Sequence, residues 1–327
     1  MRAVILTRPG GPEVLEIQER PAPEPGLGQI RVRVRASALN RADTLQREGN
    51  YPVPPGVAAD IGGMEYAGEV DALGPGASLW NVGDRVMGII AGAGHAELVC
   101  VHEREAMPAP QKMSWEEVGA IPEVFLTAYD ALFNRLKVTI GENVLIHAVG
   151  SGVGTAALQL ARIAGANVIG TARSPDKLER ARLLGLHMPI DAASGDWADQ
   201  AEAMLGVERV HAIVDLVGGS YLDGNLRVMA PLGRAVIVGL TAGGSAPFRM
   251  HVLLRKRLTI VGTVLRARPL EEKIALAREF SEKVLPLFDS GRLRPVIDRV
   301  FPFDEIRDAH TLMESNQTFG KIVLRWE

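Results

Sequence analysis

Cysteine is nearly absent from this chain of 327 residues, since Cys100 is the only one. One thiol cannot form an intramolecular disulfide, and it cannot build the four-ligand cysteine clusters typical of structural zinc. The sequence also lacks an uninterrupted apolar run of ~18 residues, and its opening segment MRAVILTRPGGPEV holds no long apolar stretch. We therefore predict no membrane-spanning helix and expect a cytoplasmic protein in a reducing compartment.

An excess of either charge is missing as well. The 36 basic and 39 acidic residues give a formal net charge of -3, and no basic run is interleaved with aromatic residues. This excludes the electrostatic pattern of a dedicated nucleic-acid binder. The remaining composition, 47% hydrophobic and 23% charged, is that of an ordinary globular protein. Because 327 residues exceed the usual size of one hydrophobic core, the length predicts two domains.

Short β-like runs, separated by proline and glycine, dominate the first third of the sequence, at 3–6, 29–36, 65–72, 85–90 and 96–101. From about Val118 apolar strands alternate with amphipathic helices, which is typical of a parallel α/β sheet. Strands are predicted at 143–148, 167–171, 188–191, 210–215, 234–238 and 258–264, and helices between them at 155–164, 176–184, 196–205 and 221–229. Six strands in this alternation predict a full doubly wound Rossmann sheet.

The C-terminal part begins with a long amphipathic stretch at 270–288, followed by segments at 296–301, 304–314 and 321–325. We expect these segments to return to the first domain. The predicted fold class is therefore α/β. A β-rich domain is expected from residues 1–117 and 265–327, and a six-stranded parallel Rossmann domain from residues 118–264.

A glycine-rich turn follows the first strand of the predicted Rossmann domain. Gly150, Gly152 and Gly154 remove side chains, so the backbone can turn sharply and a pyrophosphate can approach amides at the positive helix end. The pattern departs from G-x-G-x-x-G, because Thr155 stands three residues after Gly152. A glycine-rich turn without a nucleotide is the alternative, but the six alternating strands favour a dinucleotide site.

The end of the second strand distinguishes NAD from NADP. An NAD enzyme places an acidic residue there to bind the ribose hydroxyls, whereas this chain has Arg173 and Ser174, with Lys177 in the next helix. These groups suit a 2′-phosphate, which favours NADPH. The alternative is that Lys177 and Arg180 only solvate a helix face.

Several longer motifs, in order along the whole chain, resemble a known family. They are Ser37-Ala-Leu-Asn-Arg-Ala-Asp43, Gly63-Met-Glu-Tyr-Ala-Gly68, Ala120-Ile-Pro-Glu-Val-Phe-Leu-Thr-Ala-Tyr129, Ser151-Gly-Val-Gly-Thr155, Gly218-Gly-Ser-Tyr221 and Gly320-Lys-Ile-Val-Leu324. Together they are similar to zeta-crystallin type quinone oxidoreductases, the zinc-free branch of the medium-chain dehydrogenase/reductase superfamily. The strongest likeness is to the p53-inducible quinone oxidoreductase group.

The resemblance implies a GroES-like catalytic domain beside the Rossmann domain, with the active site in the cleft. Zinc-dependent relatives carry a cysteine at the position of Asn40, a histidine at that of Met64 and a further cysteine near Thr127. This chain lacks all three, so no metal is expected.

The resemblance also implies roles for individual residues. Asn40, Asp43 and Tyr51 would line the substrate pocket, Thr127 would hold the nicotinamide carboxamide, and Ser151, Gly152 and Val153 the pyrophosphate. Arg173, Ser174 and Lys177 would surround the 2′-phosphate, Val217 and Gly218 a ribose, and Gly239 and Leu240 the nicotinamide, while Asn316 would approach the cofactor. Asp191 stands where many relatives have a phosphate-binding tyrosine, which weakens the case for NADPH.

Each of these residues has a structural alternative as well. Asn40 and Asp43 commonly cap helices, Tyr51 could be a turn aromatic beside Pro52, and Thr127 could bond its own helix backbone.

The sequence therefore predicts a zinc-independent, NADPH-dependent quinone oxidoreductase acting on a quinone or a similar conjugated carbonyl compound. Two alternatives stay open: NADPH-dependent reduction of the C=C bond of an enone, enal or enoyl thioester, and a non-catalytic NADPH-binding protein with a structural, RNA-binding or redox-sensing role. The apolar run at 258–264 predicts a strand at the edge of the sheet. Such an edge is commonly covered by a second copy of the chain, so we predict a homodimer.

Overall fold

Residues 1–326 are described by a computed structural model in which the chain forms two units. The first consists of Met1–Leu126 and the segment from Leu265 onward, and the second is Thr127–Val264. The sequence-based boundary after residue 117 falls inside a helix, Trp115–Gly119, that packs against strands of the first unit.

The N-terminal part of the chain is mostly β structure. Its strands are β1 (Arg2–Leu6), β2 (Leu15–Glu19), β3 (Gln29–Ala38), β4 (Glu65–Leu73), β5 (Arg85–Ile89), β6 (Leu98–His102) and β7 (Met107–Pro108). Its helices are α1 (Arg41–Arg47), α2 (Trp115–Gly119) and α3 (Pro122–Tyr129), and a π-helical turn over Asp130–Arg135 follows α3.

Strands and helices alternate in the second unit. The strands are β8 (Asn143–Ile146), β9 (Asn167–Ala172), β10 (Met188–Asp191), β11 (Val210–Asp215), β12 (Met229–Ile237) and β13 (Thr259–Gly262). The helices are α4 (Gly152–Ile163), α5 (Pro175–Leu183), α6 (Trp197–Leu205), α7 (Tyr221–Val228) and α8 (Met250–Lys256). The chain then returns to the first unit with α9 (Leu270–Lys283), α10 (Leu285–Asp289), β14 (Ile297–Pro302), α11 (Ile306–Glu314) and β15 (Lys321–Arg325).

The sheet of the first unit runs in the order β14-β15-β3-β4-β5-β7, with β6 also paired to β3. Side chains of β3 alternate between the core and the opposite face. Ile30, Val32 and Val34 are buried, while Arg31 and Arg33 form ion pairs of 2.7 Å with Asp71 of β4. This period of two is the sequence pattern of a strand with one buried face.

The second unit is a parallel sheet in the order β10-β9-β8-β11-β12-β13. Numbered within the unit this is 3-2-1-4-5-6, the Rossmann order. Val144, Leu145 and Ile146 of β8 are fully buried, as expected of a central strand covered on both faces. The predicted fold class is confirmed. The strand order reverses between β8 and β11, and ligands of such sheets bind at the carboxyl ends of the strands there.

The amphipathic stretch at 270–288 forms two helices, because the chain breaks at Val284 between α9 and α10. Pro286 lies in the first turn of α10. Its nitrogen carries no hydrogen, so it cannot continue the bonding pattern of α9. Helix α8 was not predicted at all.

A buried ion pair joins the two chain segments of the first unit. Lys321 Nζ, at the start of β15, donates to Glu65 Oε1 at 2.7 Å, Asn40 Oδ1 at 2.7 Å and Leu39 O at 2.8 Å. Glu65 also accepts from Asn40 Nδ2 at 2.8 Å and from the Glu123 amide at 2.9 Å. The Lys321 and Glu65 side chains are 3% and 0% exposed. Each ammonium hydrogen has an acceptor, so the buried charges are fully compensated.

The single cysteine lies on β6 opposite Arg31 of β3 and is half-buried. Burial raises the pKa of the Cys100 thiol to about 11, an effect that Arg31 only partly offsets. The thiol is therefore protonated at neutral pH.

The ion pair gives a testable prediction for stability. Lys321→Met should lower the free energy of unfolding by about 3–5 kcal/mol, because it leaves the Glu65 carboxylate buried without its counter-charge. Denaturant unfolding would measure this change. Lys283→Met is the matched control, since Lys283 is 60% exposed and pairs with Glu279 on the surface of α9. The control should change stability by about 1 kcal/mol or less. Equal effects of the two substitutions would show that the buried pair does not hold the segments together.

Candidate active site

The glycine-rich turn connects β8 to α4 at the point where the strand order of the second unit reverses. Gly150 lies in the turn, and Ser151 caps α4 by accepting the Gly154 amide at 3.1 Å. The amides of Gly152 and Val153, in the first helical turn, have no acceptor within the helix. A Cβ on Gly154 would lie 2.4 Å from Ala148 O, so only glycine lets α4 start this close to the turn. Two free amides at a positive helix end fit a pyrophosphate.

A buried chain of hydrogen bonds connects this turn with the end of β11. Asp215 Oδ1 accepts the Val217 and Gly218 amides, both at 2.8 Å, and Asp215 Oδ2 accepts Asn225 Nδ2 at 2.8 Å. Asn225 Oδ1 therefore faces His147 Nε2, at 2.7 Å, and this nitrogen must be the donor. Burial lowers the pKa of His147, so the ring is neutral. These hydrogen bonds together fix the loop after β11 in place.

The loops after β11 and β12 approach each other closely. Gly218 has φ +66°, and a Cβ there would lie 2.9 Å from Gly239 O. Leu240 is 57% exposed and follows Gly239 directly. The backbone of the predicted cofactor residues Gly218, Gly239 and Leu240 therefore lies at the carboxyl end of the sheet. A residue larger than glycine at position 218 would push the two loops apart.

The predicted phosphate-binding residues lie where β9 ends and α5 begins. Ser174 caps α5 and accepts the Lys177 amide at 3.5 Å, Arg173 is exposed, and Lys177 is half-buried. Asp191, at the end of β10, pairs in register with Ala172, and its Oδ1 accepts the Ala193 amide at 2.9 Å. The Asp191 carboxylate thus caps its own turn.

Tyr221 is a neighbour of this region for which no role was predicted from the sequence. Its ring stacks on Trp197 with centroids 5.5 Å apart. Burial raises the pKa of Tyr221, while Arg173 lowers it, so the Arg173 guanidinium acts on the Tyr221 hydroxyl. The motif Gly218-Gly-Ser-Tyr221 was the only signal in the sequence for it.

Two predicted cofactor residues lie outside these loops. Thr127 is buried on α3. Asn316 is an exposed residue of the first unit, with φ +58°, and its Oδ1 accepts Arg41 Nη2 at 2.6 Å. The Asn316 side chain therefore holds the start of α1.

Asn40 and Asp43 are bound within the first unit. Asp43 Oδ2 accepts the Asn40 amide at 2.8 Å, which caps α1, and Asp43 Oδ1 accepts the Gly63 amide at 3.0 Å. The Asn40 side chain is engaged with Glu65 and Lys321. Both residues thus have the capping and positioning contacts that were the structural alternative to a substrate role.

Tyr51 lies in the irregular segment between α1 and β4 and is half-buried. Burial raises the pKa of Tyr51, and Glu123 raises it further, so its hydroxyl is a neutral donor at physiological pH. The guanidinium of Arg266 lies over the Tyr51 ring, with Cζ 5.2 Å from the ring centroid. No motif marks Arg266, so no role was predicted for it from the sequence.

The residues at the zinc-ligand positions of related enzymes do not fit a metal. Asn40 is part of the buried ion-pair cluster, and Met64 is 4% exposed within the core. Among residues 1–326, no three His, Cys, Asp or Glu side chains are grouped so that they could hold a metal ion. Within the same range, no helix has the length and apolar character needed to cross a bilayer.

Two protein families match the chain. Residues 26–133 match the family described as alcohol dehydrogenase GroES-like domain, and residues 152–283 match the family described as zinc-binding dehydrogenase.

Curated relatives match over nearly the whole chain. A rat (Rattus norvegicus) synaptic vesicle membrane protein VAT-1 homolog is 33% identical, with 99% of this chain and 84% of the relative covered. The human (Homo sapiens) quinone oxidoreductase is 29% identical, with 99% and 97% covered.

Solved structures agree with these matches. A quinone oxidoreductase from Pseudomonas syringae pv. Tomato is 28% identical with a TM-score of 0.88 over 99% of both chains, and the CurK enoyl reductase is 28% identical with a TM-score of 0.86 over 99% and 98%. An NAD-dependent alcohol dehydrogenase (34%, TM-score 0.87) and a mycobacterial protein in complex with NADPH (28%, TM-score 0.87) each match over 100% of both chains. The fold, the dinucleotide turn and these full-length similarities together show that the chain belongs to the medium-chain dehydrogenase/reductase superfamily, in its zinc-free branch of quinone oxidoreductase-like proteins.

Proposed function

We propose that this oxidoreductase uses NADPH to reduce a quinone or a similar conjugated carbonyl compound without a metal. The observation that carries the proposal is a Rossmann unit with a dinucleotide turn, in a chain that aligns over 97% of the length of a quinone oxidoreductase. A bound nicotinamide would supply the hydride, and the protein would bind and orient the acceptor.

The choice of NADPH rests on the residues after β9. Arg173, Ser174 and Lys177 offer two positive charges and a hydroxyl at the end of β9, where a 2′-phosphate would bind. Asp191, at the end of β10, uses its carboxylate to accept the Ala193 amide.

The acceptor role rests more on Tyr51 than on Asn40. Asn40 Nδ2 already donates to Glu65, and a bond to an acceptor would require breaking that contact. Tyr51 keeps its proton and lies in an irregular segment, so its hydroxyl is the better hydrogen-bond donor. Asp43 would act by holding α1 and Gly63, next to this segment.

Reduction of a conjugated C=C bond is the second candidate. The similarity to the CurK enoyl reductase favours it. The chemistry is related, because in both reactions the negative charge that follows hydride transfer is delocalised onto a carbonyl oxygen.

A homodimer and a cytoplasmic location stay predictions. Strand β13 is at the edge of its sheet, and Met250, Leu254 and Val264 near it are 68%, 73% and 49% exposed. An apolar sheet edge of this kind is commonly covered by a second copy. A monomer in sedimentation experiments at micromolar concentration would contradict the dimer.

Cofactor preference can be tested at Lys177. Lys177→Ala should weaken NADPH binding by about 1–3 kcal/mol, the range of a charge-assisted hydrogen bond, and leave NADH binding nearly unchanged. Fluorescence titration with each cofactor would measure both affinities. Arg182→Ala is the control, since Arg182 is on the same helix, 54% exposed and paired with Glu179. Equal affinity of the unmutated protein for NADPH and NADH would refute the assignment.

The reaction can be tested with a panel of acceptors. The purified protein should consume NADPH with quinones, and a chelator should leave the rate unchanged. The panel should also contain an enone, an enal and an enoyl thioester. Faster turnover of these compounds would favour C=C reduction. Absence of turnover with every acceptor would favour the non-catalytic, cofactor-binding alternative.

The role of Tyr51 has its own test. Tyr51→Phe keeps the ring and removes the hydroxyl, so kcat and kcat/KM should fall together, by about tenfold for each ~1.4 kcal/mol of lost stabilisation. NADPH affinity should not change. Tyr66→Phe makes the same chemical change in the core, where the Tyr66 hydroxyl is buried and has no hydrogen-bond partner among residues 1–326, and should leave turnover unchanged. Full activity of Tyr51→Phe would exclude the hydroxyl as an important donor.

A further inference from the structure

Arg266 is held firmly by two of its three guanidinium nitrogens. Nε donates to Ala91 O at 2.5 Å, and Nη2 donates to Gln46 Oε1 at 2.7 Å. Gln46 is in turn fixed by a bond from its Nε2 to Ala59 O at 3.2 Å. The residue as a whole is 7% exposed. The plane and direction of the guanidinium are therefore set by the backbone after β5 and by α1.

The third nitrogen, Nη1, is buried and has no hydrogen-bond partner within residues 1–326. An unpaired buried donor is costly, and more so when it is charged, so Nη1 calls for a physical reason. Other buried nitrogens without such a bond are less informative. Those of Arg227 and Arg249 already face carboxylates in ion pairs. Arg266 Nη1 instead belongs to a guanidinium whose neighbour is the half-buried Tyr51 ring.

The Arg266 guanidinium is charged despite its burial. Burial lowers the pKa of Arg266, and Asp43, Tyr51 and Glu123 offset this only in part. Arginine stays protonated in proteins in any case. A charged donor in a poorly hydrated site interacts with a negative oxygen far more strongly than it would in water.

We propose that Arg266 Nη1 binds the carbonyl oxygen of the acceptor and stabilises the negative charge that develops there during reduction. This rests on the proposed function and adds to it a charged catalytic residue. A bound NADPH would supply one hydride to the acceptor, with both electrons of the C–H bond that breaks, and would leave as NADP⁺. The carbonyl π pair moves to the oxygen, and one proton from water then completes the reduced product.

The Tyr51 ring is the aromatic neighbour of this guanidinium. The contact is a cation–π interaction, with Arg266 Cζ 5.2 Å from the ring centroid. Tyr51 lies between α1 and β4, where the backbone is not part of a helix or a named strand. We expect a flat conjugated acceptor to share the guanidinium with the Tyr51 ring.

The proposal predicts a preference for an anionic oxygen, which can be measured without turnover. The probe is 4-nitrophenolate, at a pH where the phenol is ionised, and the neutral reference is 4-nitroanisole. Both are titrated into the protein saturated with NADP⁺. The unmutated protein should bind 4-nitrophenolate at least about tenfold more tightly, and Arg266→Gln should lose that preference while binding 4-nitroanisole as before. Arg266→Lys should retain part of it.

Turnover gives the second readout. Arg266→Gln should lower kcat by about 100-fold, the scale of losing one oxyanion donor, with NADPH affinity unchanged. Arg104→Gln is the control, because Arg104 is 45% exposed and pairs with Glu271 on the surface of the same unit. Thermal unfolding of each variant separates a folding defect from a binding defect, and Arg266→Lys serves if the glutamine variant does not fold.

The outcomes separate the two proposals. An Arg266-dependent preference for the phenolate, in a protein that reduces no acceptor, would keep the oxyanion site and reject the proposed function. Normal turnover and an unchanged preference in Arg266→Gln would keep the function and reject the role of Arg266, leaving it a structural link between α1 and Ala91. Equal affinity of the unmutated protein for the two probes would overturn the oxyanion site directly.

Discussion

The ion pair between Lys321 and Glu65 is the interaction on which the first unit and its candidate site depend. It brings a strand from the C-terminal end of the chain against β4 and, through Asn40, fixes the residue at which α1 begins. The start of α1 determines where Asp43 meets Gly63 and where Gln46 meets Arg266. This buried polar cluster, although it is costly to desolvate, thus determines the positions of the groups around Tyr51.

In the second unit Asp215 has the corresponding role. One carboxylate accepts two amides of the following loop and the side chain of Asn225, and through Asn225 it orients the neutral His147 at the start of the glycine-rich turn. The two loops at the reversal of the strand order are therefore connected by side chains rather than by backbone pairing. Apolar residues could cover the sheet equally well, but they could not fix the direction of the loop amides.

The sequence was sufficient for the fold, because its signals are local. Six apolar runs with intervening amphipathic stretches predict the Rossmann sheet, and the glycines of the turn identify its first loop. Helix α8 was missed, and the break at Val284 was not foreseen although Pro286 was visible. The site was only partly predictable. Arg266 is close to Tyr51 through long-range contacts with Gln46 and Ala91, and no spacing in the sequence encodes such contacts. Asn40 was singled out by its motif, but its neighbours Glu65 and Lys321 lie 25 and 281 positions away in the sequence, so these contacts could not be predicted.

The protonated state of Cys100 has a chemical consequence for a protein proposed to handle quinones. Quinones and enones are electrophiles that alkylate thiolates, and the thiol form reacts far more slowly. With a pKa of about 11, Cys100 presents very little thiolate at neutral pH. Burial of Cys100 where β6 pairs with β3 therefore protects the only thiol of the chain from alkylation by the compounds that the protein is proposed to reduce.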